Sequence, residues 1–381
     1  MVNFPAERTL IVPSETRSRE FDPKLLLACH SAARGFRVIV GSRIDIHNNV
    51  HRLPRAIYLS KDIRGTSGRV IKILNELGSP CVALDEEGLL YYSKRTYYRK
   101  RVSAKVMPLL SAYFSWGEDS ADIIENAPGY CGFPIHATGN PRLDLCRPEY
   151  RAFYRKDRDR LRREHGDFVL INTNFGFFNP FYASLTNNVP AENSEDEKSD
   201  NNLIQFRAAL MHNYIKAVPE LARSMPHLNF VLRPHPGENI EMWRSEFKDL
   251  TNVKVELQGS VIPWIMSARA VIHNNCTTSI ESAVLNVPRI AFRPVKDPRV
   301  EVKLTNDISL QASTSAELAK IIGETAPSCD MSTGIDERAA KIMQPMVSGL
   351  SGKPAFERIT DIVDEMADEL VESSRTSARH R

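Results

Sequence analysis

Short apolar runs rich in β-branched and aromatic residues alternate with amphipathic stretches from the start of the chain, the rhythm of βα units that feed a parallel sheet. Leu10-Ile11-Val12 predicts a first strand, residues 23–33 a helix, and Arg37-Val38-Ile39-Val40 a second strand after a helix stop at Gly35. Ala56-Ile57-Tyr58-Leu59, Cys81-Val82-Ala83-Leu84 and Tyr113-Phe114-Ser115 continue the series. The rhythm breaks after His136-Ala137-Thr138-Gly139-Asn140-Pro141, where residues 147–164 are strongly charged and predict an exposed helix and linker. A second series begins at Phe168-Val169-Leu170-Ile171-Asn172-Thr173-Asn174. It continues through Asn229-Phe230-Val231-Leu232-Arg233, Val253-Lys254-Val255, Ala270-Val271-Ile272-His273 and Arg289-Ile290-Ala291-Phe292.

The fold class that follows is α/β, with two doubly wound Rossmann-like domains. The expected divisions are a first domain over residues 1–150, a linker over 151–166, a second domain over 167–330, closing helices over 331–372 and a flexible tail over 373–381. Residues 187–202 are acidic and nearly free of apolar side chains, which predicts a mobile insertion.

Composition adds limits. A chain of 381 residues is long for a single domain, in agreement with two cores. With 42% hydrophobic and 25% charged residues, global disorder is excluded. A formal net charge of only +3 argues against a dedicated nucleic-acid binder, so any anion site is local. The six cysteines show no CxxC pair and no zinc spacing, and predict reduced, mostly buried thiols. No apolar run has the length of a signal peptide or a bilayer span, which predicts a cytoplasmic protein. Arg95, Arg99, Lys100, Arg101 and Lys105 interleave with Tyr91, Tyr92, Tyr97 and Tyr98. A solvated helical face explains that cluster best, and peripheral contact with the inner membrane stays open.

Three stretches carry candidate chemistry. Arg233-Pro234-His235-Pro236-Gly237-Glu238 follows a predicted strand, and ligands of open α/β sheets bind outside the carboxyl ends of strands. There Arg233 offers a planar fork for phosphate oxygens, and His235 a ring N–H or an acid. The second stretch is His273-Asn274-Asn275-Cys276-Thr277-Thr278-Ser279-Ile280-Glu281, in which a strand runs through a hydroxyl-rich loop into a helix. A helix start with Thr277, Thr278 and Ser279 can hold phosphate, and Glu281 can accept from ribose hydroxyls; ordinary N-capping explains Thr278 and Glu281 equally simply. The third is Asp85-Glu86-Glu87-Gly88, three carboxylates at a strand end, of which one or two can serve as general base, nucleophile or charge stabiliser.

In their order and spacing these loops resemble the nucleotide-binding half of GT-B glycosyltransferases. The resemblance is closest to bacterial surface carbohydrate biosynthesis proteins, and more distant to capsule Kdo transferases and UDP-GlcNAc 2-epimerases. Leu84-Asp85-Glu86-Glu87-Gly88, Ala137-Thr138-Gly139-Asn140-Pro141-Arg142-Leu143-Asp144 and Asn172-Thr173-Asn174-Phe175-Gly176 fit the first family, so the likeness spans about residues 8 to 370.

The resemblance implies a glycosyltransferase that moves a sugar from a UDP- or CMP-linked donor to a glycan or lipid-linked acceptor. It implies that Arg233, His235, His273, Asn274, Thr277, Thr278, Ser279 and Glu281 bind the nucleotide, with Asn172 and Asn174 facing the cleft. Asp85, Glu86, Glu87 and His235 would be the catalytic candidates. No cofactor is expected beyond the donor itself, and no metal: Asp157-Arg158-Asp159 has the DxD form but lies in the charged linker. A nucleotide-sugar epimerase and an inert polysaccharide-assembly scaffold remain as alternatives on the same fold.

Overall fold

The computed structural model describes residues 8–176, 178–179, 195–325 and 333–379. The chain divides into two compact units, Met1–Leu145 with Met343–Arg381, and Cys146–Ile342.

The first unit carries a sheet of strands β1 (Thr9–Ser14), β2 (Arg37–Ser42), β3 (Ile57–Ser60), β4 (Cys81–Leu84), β5 (Ala112–Ser115) and β6 (Ile135–Ala137), in the order β2-β1-β3-β4-β5-β6. All the ladders are parallel. Strands β1, β3, β4 and β5 are buried along their whole length, which is why they read as unbroken apolar runs and not as alternating ones. Strand β6 was not expected from the pattern. Its three residues take up the strand only by pairing in register with β5, as in Tyr113↔Ile135. Gly139, which follows, has φ +82°, and a Cβ there would meet the Ser348 carbonyl oxygen at 2.2 Å, so the Thr-Gly-Asn-Pro turn demands glycine.

The closing helix Ala355–Arg379 belongs to this unit and packs on the helix Asp22–Ala33. Asp144 caps it, its carboxylate accepting from the N–H groups of Ala355 at 3.0 Å and Phe356 at 2.9 Å. Ile359, Val363 and Ala367 form its buried stripe, and Ser31 and Thr360 hydroxyls meet at 3.2 Å beneath it. Two expectations are corrected: this helix does not stand apart as a separate closing segment, and it continues through most of the expected flexible tail to Arg379.

The second unit carries β7 (Phe168–Asn172), β8 (Asn229–Arg233), β9 (Val253–Val255), β10 (Ala270–His273), β11 (Arg289–Phe292) and β12 (Leu310–Ala312), in the order β12-β11-β10-β7-β8-β9 and again all parallel. Strand β12 was also missed; it is an exposed edge with only Ala312 buried. The expected linker is part of this unit. Arg155–His165 forms a helix that buries Leu161 and His165, with the His165 ring 5.0 Å from that of Trp264. Arg151 just before it is fully buried and donates to the carbonyls of Cys146 and Val284.

The acidic segment is also corrected. Residues 195–202 lie in the long helix Glu195–Ser224, while residues 187–194 fall outside the described residues. Of the cysteines, Cys81 and Cys146 are buried, Cys276 is half-buried, and Cys29 and Cys131 are exposed, contrary to the expectation of mostly buried thiols. Cys329 lies outside the described residues. Among the described residues, no helix is long and apolar enough to cross a membrane.

Candidate functional site

In each sheet the strand order reverses once, and the loops at the carboxyl ends flanking that reversal form a crevice. In the first unit the reversal lies between β1 and β3; in the second it lies between β7 and β10.

The first crevice is ionic. The chain leaves β1 through a tight π turn, Arg17–Phe21, which turns Glu20 inward. Glu20 accepts from Lys24 Nζ at 2.8 Å, from Lys61 Nζ at 3.0 Å and from the Glu15 N–H at 2.9 Å. Burial pushes its pKa up, but Lys24 and then Lys61 outweigh this and hold it at about 2. Lys61 also pairs with Glu15, and Lys24 Nζ lies 3.3 Å from Glu86 Oε1. Sequence reasoning missed Glu20, Lys24 and Lys61, because burial of charged groups leaves no periodic trace; the one available hint was the i,i+4 spacing of Glu20 and Lys24.

The three expected carboxylates separate by role. Asp85 is fully buried and accepts from Tyr97 Oη at 3.0 Å and Arg101 Nε at 2.9 Å, with a second, close contact from the same guanidinium. It anchors the helix Lys94–Arg101 to the end of β4, so it has no capacity left for a substrate and the catalytic expectation for it is corrected. Glu87 is half-exposed and binds Arg101 at 2.6 Å and Arg64 at 3.4 Å. Burial raises its pKa, but Arg101, Arg19 and Arg64 together bring it below the usual carboxylate value. Glu86 is the one held loosely: it is buried, and among the described residues its oxygens have only Lys24 and Asn140 Nδ2, each at 3.3 Å. Ser14 Oγ, at the end of β1, is buried and has no hydrogen-bond partner among the described residues.

The same anchoring changes the picture of the basic and aromatic cluster. Tyr97 and Arg101 turn inward onto Asp85, and Tyr98 donates to the Ile123 carbonyl at 2.8 Å, leaving Arg95, Arg99, Lys100 and Lys105 as its exposed basic members.

The second crevice is built from amides and hydroxyls. Asn172 ends β7, and its Nδ2 is buried with no partner among the described residues. Asn274 follows β10, and its Oδ1 is likewise buried with no partner among them, as is Thr278 Oγ1. Asn274 leads into Asn275, which holds φ +48° while its Oδ1 accepts from the Val302 N–H at 3.1 Å. Asn174 and Thr277 are half-buried beside them, and Glu281 is buried on the first turn of the helix Thr278–Val284. A buried amide N–H, amide oxygen or hydroxyl left unpaired costs on the order of 1–3 kcal/mol, so each of the three is a point where a polar ligand would restore a missing bond.

Three expected ligands are placed otherwise. Arg233 stacks over the Trp264 ring at 4.8 Å and donates to the carbonyls of Gln258 at 2.8 Å and Gly259 at 3.0 Å. Its fork therefore ties the loop after β9, and burial alone lowers its pKa to about 10. His273 is fully buried, not in a cleft: Nε2 donates to Ser309 Oγ at 2.9 Å, whose own proton goes to the Thr305 carbonyl at 2.7 Å. Burial, with Arg289 second, drops its pKa to about 3, so the ring is neutral. Ser279 Oγ turns back onto the Cys276 carbonyl at 2.9 Å. The N–H groups of Ser279, Ile280 and Glu281 also bond to the carbonyls of Cys276 and Thr277, so the expected cradle of open helix N–H groups is largely closed.

His235 sits half-buried after β8. Its Nδ1 accepts from the Gly237 N–H at 3.1 Å, which leaves the proton of the neutral ring on Nε2. The residue that sequence reasoning passed over here is Glu238, fully buried and central to the loop, although it stands in the same motif.

No family model matches the sequence, and no curated protein matches it either. Solved structures do match. One is the wall teichoic acid polymerase TagF, an H444N variant with CDPG, at 11% identity over 96% of this chain and 89% of that one, with a TM-score of 0.57. Another is the S. aureus MnaA–UDP complex, at 14% identity over 95% and 97%, with a TM-score of 0.56. A third is the UDP-GlcNAc 2-epimerase from Neisseria meningitidis bound to UDP-GlcNAc, at 11% identity over 94% and 99%, with a TM-score of 0.53. At these identities the likeness establishes the fold: two parallel α/β units of the GT-B type, as the loop order implied.

Proposed function

We propose that the protein is a glycosyltransferase of bacterial surface polysaccharide synthesis that binds a nucleotide-linked donor in the crevice between β7 and β10. The observation that carries this reading is the set of buried, unpartnered polar atoms at that crevice, Asn172 Nδ2, Asn274 Oδ1 and Thr278 Oγ1. Its support is that similar structures were solved with CDPG, UDP and UDP-GlcNAc.

On this reading Asn172, Asn174, Asn274, Thr277 and Thr278 bond phosphate and ribose oxygens, and Glu281 accepts from ribose hydroxyls. His235 Nε2–H stabilises the departing phosphate. Arg233, His273 and Ser279 shape the walls without touching the ligand. In the first unit, Glu86 accepts the proton of the acceptor hydroxyl, with Lys24 and Asn140 fixing its carboxylate, and Ser14 Oγ is free to bond the acceptor. The acceptor is a glycan or its lipid-linked precursor, the transfer needs no metal, and the protein works in the cytoplasm at or near the inner membrane.

The fold also supports a second reading, a nucleotide-sugar 2-epimerase, because two of the similar structures contain UDP or UDP-GlcNAc. Calorimetry with UDP, CMP, GDP and ADP on the wild type, Thr278→Val and His235→Ala tests the donor site. One nucleotide is expected to bind, and both variants to weaken it; uptake of none of the four would sink the reading. Turnover of UDP-GlcNAc without any acceptor would favour the epimerase.

A further inference from the structure

The loops after β7 and β8 are laced together by one carboxylate. Glu238 Oε1 accepts from Thr173 Oγ1 at 2.9 Å, from the Phe175 N–H at 3.0 Å and from the His235 N–H at 2.9 Å. Its Oε2 accepts from the Trp243 indole N–H at 2.9 Å. Around this centre Asn179 and Asn239 exchange two bonds of 2.8 Å, the Thr173 N–H reaches the Arg233 carbonyl at 3.3 Å, and Gly176 approaches Gly237 so closely that a Cβ would meet its carbonyl oxygen at 3.4 Å.

Among the described residues every partner of Glu238 is a donor and none is a cation, so the charge is held by dipoles. Strand β7 lies between β8 and β10, and Asn172 Nδ2, one residue before Thr173, has no partner among the described residues.

We propose that Glu238 is a positioning residue that couples the two loops, so that holding His235 and holding the crevice open for the nucleotide are one structural event. This deepens the proposed donor site and rests on it for the nucleotide, although the coupling itself does not need it. A glutamine cannot replace the carboxylate cleanly, because its NH2 group must face either the two backbone N–H groups or the indole N–H.

The experiment combines calorimetry, using UDP and CMP as probes, with amide hydrogen exchange and the indole NMR signal of Trp243 on the full chain. In the wild type, saturating nucleotide is expected to slow exchange in residues 172–176 and 233–239 together. It should also shift the Trp243 indole signal, although that ring is fully buried and cannot touch the ligand. In Glu238→Gln, affinity is expected to fall about tenfold, and the two segments to exchange independently, while the helix Glu195–Ser224 keeps its protection.

Wild-type affinity in Glu238→Gln, or continued joint exchange of the two segments, overturns the proposal. If the wild type takes up no nucleotide, the donor-site reading fails and the exchange comparison on the unliganded chain alone decides the coupling. Should Glu238→Gln not fold, Thr173→Val removes one donor and keeps the carboxylate. It is then expected to weaken binding about threefold with looser exchange at residues 172–176, and wild-type behaviour in both overturns the proposal.

Discussion

The two crevices are built on the same device, a parallel sheet whose order reverses, yet their chemistry is opposite. Between β1 and β3 the groups are charged and matched: Glu15, Glu20 and Glu86 against Lys24 and Lys61, most of them buried. Between β7 and β10 they are mainly amides, hydroxyls and imidazoles, with the carboxylate of Glu281 among them, and several have no partner among the described residues. A buried ion that loses its partner is far more costly than an unpaired amide, so a charged crevice must be nearly complete in the folded protein, whereas a neutral one can wait for its ligand. The first region is thus preorganised and the second receptive. Glu86, with two long contacts, is the point where the ionic region is least complete.

Four measurements break or sharpen that contrast. Removing the loosely held carboxylate should have the largest effect: Glu86→Gln is expected to cut transfer about 10²–10⁴-fold while nucleotide affinity stays at the wild-type value. Equal loss of binding would place Glu86 in the donor site instead.

Next comes the anchor. Asp85→Ala takes the buried carboxylate from Arg101, leaving it only the half-exposed Glu87, and takes the partner from Tyr97; it is expected to destabilise the protein by about 3–5 kcal/mol, read as the shift in a urea unfolding curve. A loss below about 1 kcal/mol would show that the pair behaves as a solvated surface bridge.

The third effect is set by pH. Glu20 is held at about 2 in the folded protein against an ordinary 4.5, so the unfolded chain binds the proton more readily. Its stabilisation is complete above about 4.5 and is lost as pH falls toward 2, on the order of 3 kcal/mol. Glu20→Gln should flatten the stability profile in that window, and an unchanged slope would assign the acid sensitivity to other carboxylates.

The smallest effect belongs to the neutral crevice. Thr278→Val removes a buried hydroxyl with no partner, so stability should hold or rise slightly, while nucleotide affinity falls about five- to thirtyfold, or 1–2 kcal/mol. A stability loss without an affinity loss would mean that the hydroxyl serves the fold.

Much of this was legible in the chain. The strands β7, β8, β10 and β11 coincide with the apolar runs, because strands buried on both faces read as nearly continuous apolar sequence, and the edge strand β9 was found from the alternation of Val253 and Val255 about the exposed Lys254. The edge strands β6 and β12 were not legible, since they are short, poorly buried and exist through pairing with β5 and β11. The loops that hold the candidate chemistry were found for a similar reason: polar residues that end an apolar strand stand out by position. What each polar residue does was less visible. Asn172, Asn274 and Thr278 keep open valences among the described residues, while Arg233 and Asp85 spend theirs on carbonyls and an arginine, and His273 spends Nε2 on a hydroxyl.

The sequence by itself determined the α/β class, the two series of strands and the loops at their carboxyl ends, because periodicity and strand length are local properties of the chain. The tertiary structure decided which charges are buried and who satisfies them. Glu20 meets Lys61 across 41 positions, and Glu238 meets Thr173 across 65, and partners so far apart leave no mark on the local pattern of either segment.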